Sequence, residues 1–354
     1  MKTLACVKYG SIKDLDESKR GQVAVCDFPE QTLGEHDVKV RIAYCAICGS
    51  DPHIIGGAIG TSVLPKGLGH EVSGVVEAVG EKAAIKGLKV GDRVACNFLH
   101  FDNTCYYCQN GQQQFCEHAK SYSHPGMAEY VVWHEDMMYK LPDSVNLKKG
   151  CLLEPVSVAV RMVDKMHMKV GQRVAICGGG PIGLLVLQLV KRFGATELTM
   201  IEPIAERREL AKRFGAKHTI DPAKQNVVEE GNKITNGYGF DVVLDASGFP
   251  GALEALLDIA AKGGTVIYGA MYPTQYALPL NLNDYLYNKE LTLTGSYISP
   301  YAFPRALQLL EELDLEPFTE AVFPIDRGAE AFAAQAKGLY PQILIECNPG
   351  MKLE

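Results

Sequence analysis

The stretch Val174-Ala175-Ile176-Cys177-Gly178-Gly179-Gly180-Pro181-Ile182-Gly183 decides the fold. Its first half is an unbroken apolar run, which reads as a buried strand. Its second half is G-x-G-x-x-G, and the apolar-periodic run that follows predicts a helix from Ile182 to Phe193. In such a turn Gly178 permits a tight reversal, Gly180 lets the backbone approach a pyrophosphate, and Gly183 lets helix pack on strand. Pro181 and Ile182 then open the helix whose N-terminus faces the anion. A plain strand-to-helix turn would also carry glycines, so the context decides. The next predicted strand, Leu198–Ile201, ends at Glu202, roughly twenty residues on, where dinucleotide-binding units place an acid. A carboxylate there accepts hydrogen bonds from ribose hydroxyls and repels a 2′-phosphate, which points to NAD. Arg207 and Arg208 follow; they either help hold a phosphate or lie on a helix face paired with Glu206 and Glu209.

Outward from this motif, strands and helices alternate. Helices are predicted over 204–214 and 252–261, and strands over 241–244, 265–268 and 291–294. Alternation of this kind means a parallel, doubly wound sheet. Asp245-Ala246-Ser247-Gly248 ends one of the strands, so Ser247 is a candidate for the cofactor wall; an ordinary turn is the competing reading. Before residue 155 the pattern is different. Val38-Lys39-Val40-Arg41-Ile42 alternates with period two, and 71–80 is a further strand in which Gly74 signals a bulge or a close backbone approach. The expected organisation is α/β: a β-rich domain over 1–155, completed by 296–354, and a doubly wound domain over 156–295. A helix over 304–313 and a final strand near 342–346 return the chain to the first domain.

The bulk properties bound the function. The chain has 354 residues, 47% of them apolar and 22% charged, and a net charge of -7. Two domains are expected at this length, and the acidic balance argues against nucleic acid as partner. The longest apolar run is broken by the glycines at 178–180, so no membrane span is expected. The run Met1-Lys2-Thr3-Leu4-Ala5-Cys6-Val7 reaches Lys8 and Lys13 without a long apolar core, which suits a cytoplasmic protein. Eleven cysteines in such a chain point to metal before disulfides.

A soft and hard ligand set is scattered over the β-rich part: Cys48 in Cys48-Gly49-Ser50-Asp51-Pro52-His53, then His70 and Glu71, then Glu154. Thiolate, imidazole and carboxylate with one position left open is the donor set of a catalytic zinc. A second run, Cys105-x-x-Cys108 followed by Cys116, has the spacing of a structural zinc lobe. Three residues before Cys105, Asp102 offers a carboxylate, and zinc accepts oxygen ligands. Asp102 completes a tetrahedron, or Cys96, His100 or His118 does so, or the lobe carries no metal.

Together these motifs resemble the zinc-dependent medium-chain dehydrogenase/reductase superfamily of alcohol, sorbitol and threonine dehydrogenases. The matching residues are Cys48-Gly49-Ser50-Asp51-x-His53, Gly69-His70-Glu71, Gly91-Asp92-Arg93-Val94, the 105–116 lobe, Leu153-Glu154-Pro155, the glycine fingerprint and Gly263-Gly264. They run in family order through nearly the whole chain, and Ser50, Glu71 and Glu154 are most similar to the polyol and sugar branch. The resemblance implies a GroES-like catalytic domain with a Rossmann domain. It implies a catalytic zinc on Cys48 and His70, with Glu71 or Glu154 in the remaining position, and a structural zinc on Asp102, Cys105, Cys108 and Cys116. Ser50 and His53 become a proton path, with Glu71 a further catalytic candidate. The implied reaction is hydride transfer between NAD and a secondary hydroxyl of a small polyol or sugar, in a homodimer or homotetramer. An amino-alcohol substrate such as threonine, or a non-catalytic zinc- and NAD-binding regulator, is the alternative. Sorbitol-dehydrogenase-like members carry an Arg-Tyr pair where this chain has Ile298 and Ser299, so the pocket differs; Tyr297 and Tyr301 stack on a sugar or pack as wall.

Overall fold

The computed structural model describes residues 1–59, 61–83, 87–121 and 125–351. The chain divides into two compact units, Met1–Glu154 with Phe303–Glu354, and Pro155–Ala302.

The second unit is a six-stranded sheet, parallel throughout. Its order is His218–Ile220, Leu198–Ile201, Val174–Cys177, Phe240–Asp245, Ala260–Tyr268, Thr292–Gly295. Counted in chain order this is 3-2-1-4-5-6, the doubly wound arrangement, whose crevice opens where the order reverses, beside the first strand. Val174–Cys177 is buried along its whole length, as the apolar run requires of a central parallel strand. The helix Pro181–Arg192 follows with Pro181 in its first turn and Lys191 and Arg192 in its last, placements that suit the fixed proline φ and the helix dipole.

In this unit the strand His218–Ile220 and the helix Val227–Thr235 are among the elements with no counterpart in the sequence reading. The strand His218–Ile220 is too short to show a period. The helix Val227–Thr235 begins in a polar run. Its start is set by Asn226, whose side chain accepts from the N–H groups of Val228 (3.0 Å) and Glu229 (3.2 Å), and its end by Asn236 at φ +53°.

In the first unit the strand Asp37–Ala46 is central. It pairs antiparallel with Glu71–Val79, with Tyr130–His134 and with Leu344–Glu346. Arg93–Cys96 lies beyond Glu71–Val79, and Val322–Pro324 beyond Leu344–Glu346. The C-terminal segment thus supplies two strands to a sheet begun near the N-terminus. Gly74 faces Ile42, where the ladder loses register, and a Cβ there would stand 2.2 Å from the Arg41 carbonyl oxygen. The close approach expected at this glycine is therefore real. The core gathers Trp133, Phe332, Ile42, Ile47 and Met127, all essentially sealed from solvent.

The return to the first unit comes at Phe303, later than the residue 296 expected. Within the second unit the Ser299 hydroxyl accepts from that of Ser157 at 2.7 Å in a buried contact. Among the described residues no helix is long and apolar enough to cross a membrane.

Candidate metal centres and cofactor site

Strand register brings the first ligand set together. Ala46, near the end of the central strand, pairs with Glu71 at the start of its neighbour and with Leu344 on its other side. Cys48 lies just past one strand end, before the helix Ser50–Ile55, and His70 just before the other. Ligand-capable atoms of Cys48, His70 and Glu71 all stand within 4.8 Å of one another. Glu154, in the first turn of the helix Leu153–Met166, lies outside that group, yet its charge acts on Cys48, His70 and Glu71 alike.

The electrostatics describe a place for a cation. Burial, then the charges of Glu154 and Asp51, push the Cys48 thiol up to about 12. Burial, then Cys48 and Glu154, hold the Glu71 carboxyl well above its ordinary value. Burial works against charging His70, but Glu154, Asp51 and Glu71 outweigh it and raise its pKa. Three acids and a thiol crowded in a buried space cannot ionise together without a positive partner. A dication supplies that partner, and sulfur, nitrogen and oxygen donors with room for another ligand fit zinc.

Three further side chains hold this set in place. Asp51, fully buried, accepts the N–H of Cys48 at 2.9 Å and of Gly69 at 3.1 Å. Gln342 donates to Glu71 Oε2 at 3.0 Å. Phe98 packs on the His70 ring, the centroids 4.6 Å apart. Gln342, some 270 positions away from Glu71, gave no sequence signal. Ser50 Oγ is buried and has no hydrogen bond of ordinary geometry, although its proximity slightly favours the Cys48 thiolate. His53 lies on the same short helix, half-buried.

The second set also converges: Asp102, Cys105, Cys108 and Cys116 place ligand-capable atoms within 4.8 Å of one another. Asp102 Oδ1 accepts the N–H groups of Thr104 (2.8 Å) and Cys105 (3.0 Å), and Oδ2 meets His118 Nδ1. Those bonds hold its carboxyl well below the aspartate range. Cys96 is buried in its strand against the Met138 sulfur, and His100 stacks on His134. His118 reaches the lobe only through Asp102.

In the second unit Gly178 sits at φ +100°, and a Cβ there would meet the Ser247 backbone at 2.7 Å. A Cβ on Gly183 would stand 1.9 Å from the Gly178 carbonyl oxygen, the close helix-strand packing expected of it. Gly180, capping the helix Pro181–Arg192, faces open space. The helix N-terminus therefore offers unpaired N–H groups where a pyrophosphate would lie. Glu202 is buried and held: Oε2 accepts the Gly179 N–H at 2.6 Å and Oε1 that of Ile204 at 2.9 Å. Each oxygen keeps a second lone pair for a ribose hydroxyl.

Arg208 binds neither Glu206 nor Glu209. It donates to the Glu202 carbonyl oxygen at 2.7 Å and pairs with Asp221 at 3.0 Å, because the strand end brings those groups closer than its own helix does. Arg207 Nε is buried without a partner. The Ser247 hydroxyl donates to Asp245 at 2.6 Å, and Asp245 also receives Tyr272 at 2.6 Å and the Gly248 N–H at 3.1 Å. Tyr297 and Tyr301 are both more than half exposed.

A buried S, N, O cluster in a β-rich unit, with a dinucleotide fingerprint in a doubly wound unit, defines a zinc-binding dehydrogenase. Residues 34–143 match the family described as alcohol dehydrogenase GroES-like domain, and residues 181–312 match zinc-binding dehydrogenase. The chain belongs to this family and is an oxidoreductase whose cofactors are zinc and a nicotinamide dinucleotide. It is 33% identical over 93% of its length, and 95% of the relative's, to D-arabitol-phosphate dehydrogenase of Enterococcus avium. It is 35% identical over 75% of its length, and 76% of the relative's, to D-xylulose reductase A of Aspergillus oryzae. Galactitol-1-phosphate dehydrogenase from Escherichia coli superposes with a TM-score of 0.82 at 28% identity, covering 98% of this chain and 100% of that one.

Proposed function

We propose that the chain transfers a hydride between NAD and a secondary hydroxyl or ketone of a polyol, a sugar or a sugar derivative. The observation that carries this reading is the convergence of Cys48, His70 and the buried Glu71 within 4.8 Å. The names of the relatives support the substrate class, and Glu202 at the end of its strand supports NAD over NADP.

Cys48, His70 and Glu71 would hold zinc, with Glu154 exchanging for Glu71. Asp102, Cys105, Cys108 and Cys116 would hold a second, structural zinc. Bound zinc supplies Lewis acidity that lowers the pKa of a hydroxyl, and the nicotinamide takes the hydride. The chain's own contribution is positioning and proton movement. Ser50 Oγ, buried without a partner, would accept a hydrogen bond from a substrate hydroxyl in the site and release its own proton as it takes the substrate's. His53 lies three residues further along the same helix, on the same face, and is open enough to pass that proton to solvent. Gly178, Gly180, Pro181, Ile182 and Gly183 cradle the pyrophosphate. Glu202 takes the ribose hydroxyls, while Arg207 and Ser247 border the cofactor.

One panel tests the reading: reduction of NAD by sugar alcohols, sugar-alcohol phosphates, diols and threonine, followed by the absorbance of the reduced cofactor. Turnover of a polyol or its phosphate well above the others is expected. Reduction by threonine alone would replace the substrate class, and cofactor binding without any turnover would replace the enzyme with a regulator. We further infer a homodimer or homotetramer. The sheet ends in the strand Thr292–Gly295, and the preceding segment exposes Leu282, Leu286 and Tyr287. Light scattering on the purified protein tests it.

A further inference from the structure

Outside both cysteine-containing clusters, three imidazoles come together in the first unit. His36 precedes the central strand, His100 ends the strand Leu99–His100, and His134 ends the strand Tyr130–His134. Pairing of Asp37 with His134 brings two of these segments side by side. The rings of His100 and His134 stack with centroids 4.0 Å apart, and His36 stacks on His134 at 5.7 Å. Each ring faces a carboxylate from the turn Glu135–Met137. Asp136 Oδ2 stands 3.6 Å from His100 Nε2 and 3.4 Å from His134 Nδ1. Glu135 Oε1 stands 3.0 Å from His36 Nδ1, while its Oε2 is buried with no partner. Ligand-capable atoms of His100, His134 and Asp136 lie within 4.8 Å of one another.

His134 Nδ1 accepts the Asp136 N–H at 3.1 Å, so that nitrogen is unprotonated, the state in which imidazole binds metal. Ligand atoms at ~2.1 Å from a tetrahedral ion stand about 3.4 Å apart, close to the spacing of Asp136 Oδ2 from both ring nitrogens.

We propose that His100, His134 and Asp136 form a metal site separate from the two cysteine clusters, taking a divalent transition cation of the zinc class. Two imidazoles and one carboxylate suit zinc, nickel or copper over magnesium or calcium. Binding turns one ring out of the stack about its broad terminal torsion and replaces the Asp136 N–H at His134. Beside His134, His36 and Glu135 add a further imidazole and carboxylate.

Zinc stoichiometry tests the proposal. The whole chain, equilibrated with micromolar zinc chloride, has its bound metal counted by atomic emission beside His134→Gln and His100→Gln. The parent protein should hold one zinc more per chain than either variant. In zinc titrations, affinity for that ion should fall by about tenfold or more in both variants, with turnover unchanged. Equal stoichiometry in all three, or an extra ion seen only at millimolar zinc, would overturn the site. Asp136→Asn, changed on a half-exposed side chain, repeats the comparison should a histidine variant lose its circular-dichroism signature.

Discussion

Asp51 Oδ1 accepts the backbone N–H of Gly69 at 3.1 Å, while its Oδ2 accepts that of Cys48 at 2.9 Å. One buried carboxylate thus ties the segment before the first helix to the segment before a neighbouring strand. Gly69 is committed to this contact: it lies at φ +87°, and a Cβ there would meet Met127 and Cys45 at under 3 Å. Asp51 fixes how far apart Cys48 and His70 stand without offering either of them a ligand atom. Groups that orient metal ligands in this way usually change metal affinity by about 10–100-fold when removed. Asp51→Ala should weaken zinc retention by that amount in chelator competition, and Asp51→Asn, which keeps one acceptor oxygen, by less. Retention equal to the parent protein would mean that strand pairing alone sets the spacing.

Cys48→Ala removes the one thiol of the proposed catalytic set and leaves the second unit untouched. Turnover should fall by at least about a thousandfold, given that bound zinc carries several kcal/mol of charge stabilisation. Binding of the nicotinamide dinucleotide, followed by fluorescence titration, should stay within about twofold. Near-normal turnover in a folded variant would falsify the zinc assignment at Cys48.

Glu202 is held by Gly179 and Ile204, so its charge sits at a fixed place beside the open turn. Glu202→Ala removes the acceptor for the ribose and the repulsion of a 2′-phosphate. The ratio of kcat/KM for NAD to that for NADP should fall by about tenfold or more, equivalent to ~1.4 kcal/mol. The variant also frees two backbone N–H groups, so a melting curve accompanies the kinetics. An unchanged ratio would place the selection elsewhere, with Arg207, whose Nε is buried without a partner, the next residue to change.

These residues also show what the sequence could reveal. Val174–Cys177, the glycines and Glu202 were readable because local backbone demands and a fixed strand-helix order leave few alternatives. Cys48, His70 and Glu71 were readable as ligand types, although only the pairing of Ala46 with Glu71 explains why they meet. The hold of Gln342 on Glu71 had no sequence signal, since it depends on the C-terminal segment joining a sheet begun near residue 37. Arg208 was misassigned because helix spacing suggests partners within the helix, while the strand end supplies closer ones. His36, His100 and His134 lie far apart in the chain, and no spacing rule links them.

Asp102 makes a different demand. Its two oxygens already receive Thr104, Cys105 and His118, so it shapes the lobe as well as offering a ligand. A structural zinc contributes directly to folding free energy. Cys108→Ser should therefore lose one zinc per chain and lower the melting temperature by several degrees, about 2–4 °C for each kcal/mol lost in a chain this long. Asp102→Ala should do the same with the added loss of the backbone contacts. A melting temperature unmoved by either change, with zinc content intact, would leave the lobe held by its hydrogen bonds alone.

Arg173 and Asp241 give the second unit a pH dependence with a definite sign. Nε and Nη2 of Arg173 donate to the two Asp241 oxygens at 3.0 and 2.9 Å, and the Arg173 backbone N–H adds a third bond at 2.8 Å. The side-chain bonds from Arg173 are the main reason that the Asp241 carboxyl lies below its ordinary 3.8. A carboxyl with a depressed folded pKa prefers to be ionised in the native state. Its contribution is complete above the unfolded value and disappears as pH falls through 3.8 toward the lower folded value. Asp241→Asn should cost roughly 1–3 kcal/mol at about pH 7, the range for hydrogen bonds to a charged group. The gap to the parent protein should close as pH falls to about 3 and below. Urea unfolding followed by circular dichroism at both ends of that range measures it. A gap that stays constant with pH would mean that the carboxylate charge contributes nothing, and that packing between the strands Val174–Cys177 and Phe240–Asp245 holds Arg173 in place without it.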